Sequence, residues 1–170
     1  MRILIVSKLP LDTGNIKGGV EAATINLLDG FLLLDDDIEV RVLSLHKYPN
    51  ATAYYKNSIL ISYASVSPVY MCNYNKIKNI IDNYKPDVIH IQGGGPHLLN
   101  YMLFNKNNIV ITQHGVLAHE YNTKEDIYNK IKYYIKYKID KWAYPKYKYY
   151  IFISKYNNIP TIPVENNIRL

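Results

Sequence analysis

Short runs of apolar residues recur along the chain, and each run ends in a small cluster of polar residues or glycines. Three of these junctions are Val6-Ser7, Ile91-Gln92-Gly93 and Thr112-Gln113-His114-Gly115. Runs that are almost wholly apolar, rather than alternating, are typical of parallel strands covered on both faces. Ligands bind such sheets at the carboxyl ends of the strands, so we expect the polar clusters to meet in one cleft there.

Apolar residues at helical spacing separate these strands. The pattern predicts a loop over about 46–57; strands at about 2–7, 38–45, 59–63, 87–91, 109–113, 149–153 and 161–164; and helices at about 19–34, 77–84, 96–105 and 123–142. Right-handed crossovers are expected throughout. This order predicts a doubly wound α/β fold with a mainly parallel sheet and helices on both faces.

Two of the helices show a clear apolar face. In the first, the face contains Val20, Ala23, Leu27, Phe31 and Leu34. In the long helix, for which Thr123 is the predicted N-cap, isoleucines recur every fourth residue from 127 to 139 and end at Trp142, with lysines off that face. The favoured interpretation is a helix packed on the sheet with a solvated lysine face. The alternative is an interfacial patch for anionic lipid, because tyrosine and lysine both suit headgroup depth.

Length and composition restrict the class of protein. A chain of 170 residues has the usual length of one domain. We place that domain at 1–164, with 165–170 as the start of a linker. The net charge of +6 suits an anionic partner. The single cysteine and dispersed histidines give no zinc signature, so no metal site is expected. No signal peptide or transmembrane pattern is evident, and no nucleic-acid motif accompanies the charge.

The glycine loop after the first strand is a candidate anion site, because a helix N-terminus presents backbone N–H groups. Gly14 and Gly19 have P-loop spacing, but Val20-Glu21 replaces the required Lys-Ser/Thr. A dinucleotide fingerprint fails as well, because the loop is too long and the second strand ends in His46 rather than an acidic residue. Gly18, Gly19 and Glu21 remain. A turn with a glutamate favouring the helix dipole is an equal alternative.

Polar residues after later strands are further candidates. Gln92 with Gly93-Gly94-Gly95 predicts either an anion nest or a flexible turn, while His90 fits a deeper core histidine. His114 ends a strand beside Gly115, where backbone can approach a ligand closely, so its imidazole is the best single candidate for chemistry. A structural histidine is the alternative. Ser154 either contacts ligand or caps a turn.

An ordered set of segments resembles the N-terminal domain of family 4-type glycosyltransferases of the GT-B fold. The matching segments are Arg2–Val6, Gly18–Glu21, Asp87–Gln92, Ile111–Gly115, Ile153-Ser154 and Ile162–Ile168. They cover nearly the whole chain. The resemblance implies a Rossmann-like domain that binds the acceptor and faces a second, donor-binding domain across a cleft.

The resemblance further implies retaining transfer of a sugar from a nucleotide-sugar donor to a saccharide or lipid-linked acceptor, without a metal or other cofactor. By this resemblance, His114 is the catalytic candidate. The binding candidates are Gly18, Gly19, Glu21, Gln92, Gly93, Gln113, Gly115 and Ser154. A missing C-terminal domain or partner chain is implied, so little activity is expected of this chain alone.

The expected location is cytoplasmic, with peripheral attachment to an anionic membrane as a further predicted interaction. Two alternatives in function stay open. One is a non-catalytic carbohydrate-binding or accessory subunit of a split transferase, and the other is half of a GT-B-type nucleotide-sugar epimerase.

Overall fold

The computed structural model describes most of the chain, with the backbone alone at residues 46, 74 and 167–169. The described residues are 1–34, 37–46, 51–65, 74–93, 108–115, 123, 126–153 and 167–169. The chain divides into two compact units, unit 1 (Met1–Gln92) and unit 2 (Gly93–Leu170). The predicted helix at 96–105 and the predicted strand at 161–164 lie outside the described residues.

The described strands and helices follow one another largely as the apolar pattern predicts. In chain order they are β1 (Arg2–Ser7), α1 (Gly19–Leu33), β2 (Glu39–His46), β3 (Thr52–Tyr55), β4 (Ile59–Ser65), α2 (Tyr74–Tyr84), β5 (Val88–Gln92), β6 (Ile109–Gln113), α3 (Ile127–Ala143), β7 (Tyr149–Phe152) and β8 (Asn167–Arg169). A short 3-10 turn, Tyr144–Lys146, follows α3 directly.

In unit 1 the strands lie in the order β3-β4-β2-β1-β5. β1 is parallel to β2 and β5, and β2 is parallel to β4. Every residue of β1 after Arg2 is buried, as the continuous apolar run requires of a central parallel strand. The carboxyl ends of these four strands therefore lie along the same edge of the sheet.

One hydrophobic core cluster of unit 1 lies on one side of this sheet. It contains Ile3, Ile5, Leu9, Ile25, Leu28, Val40, Val42, Tyr55, Ile59, Ile61 and Tyr63. α1 contributes Ile25 and Leu28 to this core, and Leu27 and Phe31 pack at its margin. The buried face of α1 is thus turned by part of a helical turn from the predicted stripe, of which Leu34 is exposed.

The segment predicted as a loop over 46–57 contains a strand, so that prediction is wrong at residues 52–55. β3 pairs antiparallel with β4, in register Tyr55 to Ile59. Lys56 and Asn57 both have positive φ (45° and 57°), and Ser58 N–H donates to the Tyr55 carbonyl at 3.0 Å. Positive φ at both central residues suits the twist of a hairpin. The turn lacks the glycine that usually reveals such a hairpin, so the sequence pattern hid it.

In unit 2, β6, β7 and β8 are parallel in that order, with Thr112 opposite Ile151 and Ile151 opposite Ile168. β8 lies inside the segment expected to start a linker, so residues 167–169 form part of a sheet. The predicted division into a domain at 1–164 and a linker from 165 stays a prediction.

Tyrosines fill the centre of unit 2. Tyr144, Tyr147 and Tyr150 are buried, and the Tyr150 hydroxyl donates to the carbonyls of Tyr144 and Tyr147. Burial raises the pKa of all three phenols, so they are neutral hydrogen-bonding groups at ordinary pH.

α3 begins at Ile127, and its N-cap is Asp126 rather than the predicted Thr123. The Asp126 carboxylate accepts from the backbone N–H of Asn129 at 2.8 Å. Asp and Thr are both good caps, so the choice depends on where the backbone enters the helix.

Candidate functional site

The chain leaving β1 is held against the carboxyl edge of the sheet in unit 1. The Ser44 hydroxyl, on β2, donates to the Leu9 carbonyl and accepts from the Leu9 N–H, both at 2.9 Å. The Tyr63 hydroxyl, on β4, donates to the Pro10 carbonyl at 2.8 Å. Both side chains are buried, so the first residues of the glycine loop have a defined path.

A buried pair of hydroxyls connects α1 to the end of β1. Ser7 Oγ lies 2.8 Å from Thr24 Oγ1, and Thr24 also donates to the Val20 carbonyl one turn earlier. This contact fixes the distance between the strand end and the first turn of the helix. Ser7, Thr24 and Ser44 were not predicted as functional. The only sequence signal among them is Ser7, a serine that ends an apolar strand.

The glycines at the start of α1 are exposed and open. Gly18 is the N-cap with an extended backbone, and no side chain caps the helix there. No heavy atom lies within 4 Å of a Cβ added at Gly19. Backbone N–H groups at such a helix start are an electrostatically suitable place for an anion.

Glu21 shapes the loop before the helix. Its Oε2 accepts from the Lys17 N–H at 2.9 Å, one residue before the N-cap. The contact resembles a capping box, in which a glutamate in the first turn reaches back to satisfy a backbone donor. It gives Glu21 a structural role in the loop geometry.

Gln92, at the carboxyl end of β5, is the candidate that shares this edge of unit 1. Its Nε2 lies 3.3 Å from Nε2 of His90, two residues earlier on the same strand face. Gln92 is buried and His90 is half-buried. The expectation that His90 lies deeper than Gln92 is therefore wrong.

Gly93 is the first residue of unit 2, and its backbone conformation favours glycine. Its φ is +91°, and its N–H donates to the Thr112 carbonyl at 2.8 Å. The N–H thus serves main-chain pairing, which favours the turn interpretation at this residue. Gly94 and Gly95 lie outside the described residues.

The end of β6 presents the best candidate for chemistry. Gln113 is buried, and its Nε2 donates to the Gly115 carbonyl at 2.9 Å, which folds the chain back over the strand end. His114 is half-buried between them, and burial lowers the pKa of its imidazole below the ordinary 6.5. The ring is therefore mostly neutral at pH 7, as needed for a hydrogen bond to a sugar hydroxyl.

The candidates divide between the two units. Gly18, Gly19, Glu21 and Gln92 belong to unit 1. Gly93, Gln113, His114 and Gly115 belong to unit 2, and Ser154 lies outside the described residues. The prediction that all of them share one cleft spans both units and stays a prediction. Among the described residues, no three His, Cys, Asp or Glu side chains are grouped so as to hold a metal ion.

Comparisons with known proteins point to one family. The sequence profile of Glycosyltransferase Family 4 matches residues 17–157. Among solved structures, sucrose-phosphate synthase from Thermosynechococcus elongatus is similar, with a TM-score of 0.66 at 12% identity. That match covers 91% of this chain and 43% of the synthase chain, so this chain spans less than half of the synthase's length. At this identity the likeness shows the fold, which is the doubly wound, Rossmann-like fold of a GT-B domain.

A second solved structure is less similar. A Serratia marcescens short-chain dehydrogenase/reductase, an F98L/F202L mutant, has a TM-score of 0.41 at 10% identity, over 90% of this chain and 76% of that one. Comparison with curated protein sequences gives no match.

Proposed function

Because the chain belongs to glycosyltransferase family 4, we propose that it is the N-terminal, acceptor-binding half of a retaining glycosyltransferase. The donor is a nucleotide sugar, and the acceptor is a saccharide or a lipid-linked saccharide. The family match over residues 17–157 is the observation that carries the proposal.

The reaction requires positioning and charge stabilisation more than a protein nucleophile. The acceptor hydroxyl oxygen forms a bond to the anomeric carbon, the bond from that carbon to the diphosphate breaks, and the hydroxyl proton passes to an oxygen of the departing diphosphate. Negative charge grows on the departing diphosphate. Fixed N–H donors near that charge and a held acceptor hydroxyl both lower the barrier. On this basis we propose that transfer proceeds without a metal or other cofactor.

In unit 1, the start of α1 is suited to the diphosphate. Gly19 leaves the approach to the helix N-terminus open, and a Cβ at Gly18 would lie 3.8 Å from Cδ of Glu21. The Ser7–Thr24 hydroxyl pair holds that terminus beside the end of β1. Glu21 keeps the loop in shape through Lys17. Gln92 supplies an amide at the same sheet edge.

In unit 2, the end of β6 is suited to the acceptor. A neutral imidazole at His114 accepts a hydrogen bond from a sugar hydroxyl through one ring nitrogen and donates through the other. The Gln113 side chain fixes the following turn by donating to the Gly115 carbonyl. We propose that Gly93 and Ser154 also contribute to ligand binding.

Location follows from the acceptor class. No described helix combines the length and the apolar character needed to cross a bilayer. We propose a cytoplasmic protein that attaches peripherally to the inner face of the membrane, where lipid-linked acceptors are found.

The first test separates acceptor binding from donor binding. Titrate the 170-residue chain with a panel of saccharides and glycolipids, and separately with nucleotide sugars, by calorimetry. We expect saturable binding of an acceptor and little binding of any nucleotide sugar. His114→Ala should abolish acceptor binding, whereas His114→Gln, which keeps a hydrogen-bonding side chain, should retain part of it.

The second test measures turnover. The chain alone should give little or no transfer, and addition of a co-purifying donor-domain protein should restore it with the anomeric configuration retained. Robust turnover by the 170-residue chain alone would contradict the half-enzyme proposal. Interconversion of nucleotide sugars without any acceptor would contradict the transferase proposal.

A further inference from the structure

The long helix of unit 2 has the reverse of the usual arrangement of apolar and polar faces. Three of its four isoleucines point outward: Ile127 is 77% exposed, Ile131 56% and Ile135 53%, and Trp142 is 55% exposed. Asp140, by contrast, is buried at 5%. A surface helix normally buries its apolar stripe and exposes its charges. The predicted packing of the isoleucine face on the sheet is therefore wrong.

The exposed apolar side chains form a continuous stripe. At about 100° per residue they fall within roughly 100° of the helix circumference, and Asp140 lies on the opposite side. We call this set the outer face of α3, and it consists of Ile127, Tyr128, Ile131, Ile135 and Trp142. A contiguous exposed apolar patch of this kind marks a surface that contacts a partner or a membrane.

The charge around the outer face identifies the partner. Residues 126–148 contain seven lysines and two aspartates, a formal charge of +5, against +6 for the whole chain. Of these lysines, Lys132 and Lys141 lie on either side of the stripe and Lys138 lies within it, and all three are exposed. A partner for this surface must offer apolar depth at its centre and negative charge around it.

A groove and the aromatic residues add to this match. Tyr134, Ile135, Lys138, Ile139 and Trp142 line an open groove of about 330 Å³. The ammonium of Lys146 lies 3.2 Å from the centre of the Trp142 ring. Tryptophan and tyrosine beside lysine are the side chains that prefer the headgroup level of a bilayer.

We propose that the outer face of α3 is a membrane-docking surface for a bilayer that contains anionic phospholipid. The isoleucines and Trp142 enter the boundary between headgroups and acyl chains while the lysines contact lipid phosphates, as in interfacial amphipathic helices. This inference deepens the proposed function, on which it rests for its biological setting, but docking is measured without any sugar transfer.

Trp142 is the only tryptophan of the chain and serves as the probe. Record its selectively excited fluorescence while adding vesicles of phosphatidylglycerol and phosphatidylcholine, and in parallel vesicles of phosphatidylcholine alone. We expect a blue shift and quenching by brominated acyl chains with the anionic vesicles. The shift should weaken as salt is added, because screening reduces the attraction of lysines to the surface.

A serine triple variant tests the apolar part of the surface. Ile127→Ser, Ile131→Ser and Ile135→Ser together should lower vesicle partitioning by at least about 10-fold. Because these side chains are exposed, far-UV circular dichroism should be unchanged. The matched control places serine at three exposed apolar positions of unit 1, namely Leu33, Leu34 and Tyr54, and should bind vesicles like the wild type.

A glutamine triple variant tests the charged part. Replacing Lys132, Lys138 and Lys141 by glutamine should weaken binding on the order of 100-fold, since each lysine near an anionic surface contributes about 1 kcal/mol. The control removes the same charge from unit 1, at Lys56, Lys78 and Lys85. A loss of binding that is equal in the test and control variants would reduce the effect to net charge and overturn the proposal.

Three other results would also overturn it. One is the absence of any binding by the wild type to anionic vesicles. Another is binding without a change in Trp142 fluorescence, which would place the contact elsewhere. The third is self-association in sedimentation experiments without lipid that the serine triple variant abolishes, which would make the outer face an interface between copies of the chain. A chain that docks normally but fails to bind any acceptor would contradict the proposed function and leave the docking surface standing.

Discussion

α1 and α3 both carry an apolar stripe in sequence, yet they use it in different ways. α1 buries Ile25 and Leu28, and the predicted stripe residues Leu27 and Phe31 pack at the margin of that face. α3 turns three of its four isoleucines to the outside and buries Asp140 and Ala143 instead. The comparison shows that periodicity reveals an apolar face but does not reveal what that face contacts.

The difference has a local cause in each unit. Thr24 of α1 makes a buried hydrogen bond to Ser7, which sets the rotation of the helix against β1. α3 continues directly into the 3-10 turn, whose Tyr144 carbonyl accepts from the buried Tyr150 hydroxyl. The end of α3 is therefore held by a tyrosine cluster rather than by its isoleucines.

The largest expected effect compares one core residue with one outer-face residue. Leu28→Ala should lower the free energy of unfolding by about 2–5 kcal/mol, because Leu28 is fully buried and the change leaves a cavity. Ile131→Ala should change it by less than about 0.5 kcal/mol, because Ile131 is exposed. Urea denaturation of both variants measures the contrast. Equal losses would mean that the outer face is buried in solution.

The next effect sharpens the account of how α1 is oriented. Thr24→Val keeps the side-chain volume but leaves the Ser7 hydroxyl without this partner in a buried setting, which should cost about 1–3 kcal/mol. Thermal or urea unfolding measures the loss. Ser7→Ala combined with Thr24→Val should recover part of it, because no buried hydroxyl is then left. A Thr24→Val protein as stable as the wild type would remove the proposed hydroxyl anchor.

Helix starts provide a smaller contrast. Asp126→Ala should cost about 1 kcal/mol, because it removes the side-chain cap of α3 at the Asn129 N–H. Glu21→Gln should cost only a few tenths, because an amide oxygen still accepts from Lys17 N–H. Hydrogen exchange of the two amides, at Asn129 and Lys17, checks each contact directly. A larger increase in exchange rate at Lys17 in Glu21→Gln than at Asn129 in Asp126→Ala, each relative to the wild type, would reverse the expected order.

The smallest effect concerns pH and unit 2. Burial lowers the pKa of His114, so the folded protein holds fewer protons than the unfolded chain as pH falls through 6.5. The contribution of His114 to the free energy of unfolding is therefore complete above pH 6.5, and it declines as the pH falls through the lower pKa of the folded state. Titration of the His114 ring by NMR, assigned with His114→Gln, should give a pKa below 6.5. A pKa at or above that value would mean that the ring is solvated or paired with an acid.

Much of the architecture was predictable because it depends on short-range patterns. The continuous apolar runs of β1, β5 and β6 predicted parallel strands. Each of the three pairs in parallel with a neighbouring strand, as expected. β3 was missed, because its turn at Lys56 and Asn57 has no glycine and its pairing depends on β4. The cap at Asp126 was displaced by three residues from the prediction, because several good cap residues occur close together.

The candidate site was predictable only as a set of residue types at strand ends. Gly18, Gly19 and His114 were identifiable from glycine and histidine positions, whereas the hydroxyls that hold the loop were not. Ser7, Thr24 and Ser44 are ordinary residues in sequence. Their role appears only when β1, β2 and α1 lie together.

By itself the sequence determined most of the described helices and strands, with β3 as the exception, and it carried the motifs of the glycosyltransferase family. These properties depend on residues close together in the chain, where periodicity and backbone preference act. The tertiary structure alone decided that the isoleucines at 127, 131 and 135 of α3 are exposed. It also decided that Gln92 is more buried than His90 and that the His114 imidazole is partly desolvated. Burial is set by residues distant in sequence, so no local pattern of side chains specifies it.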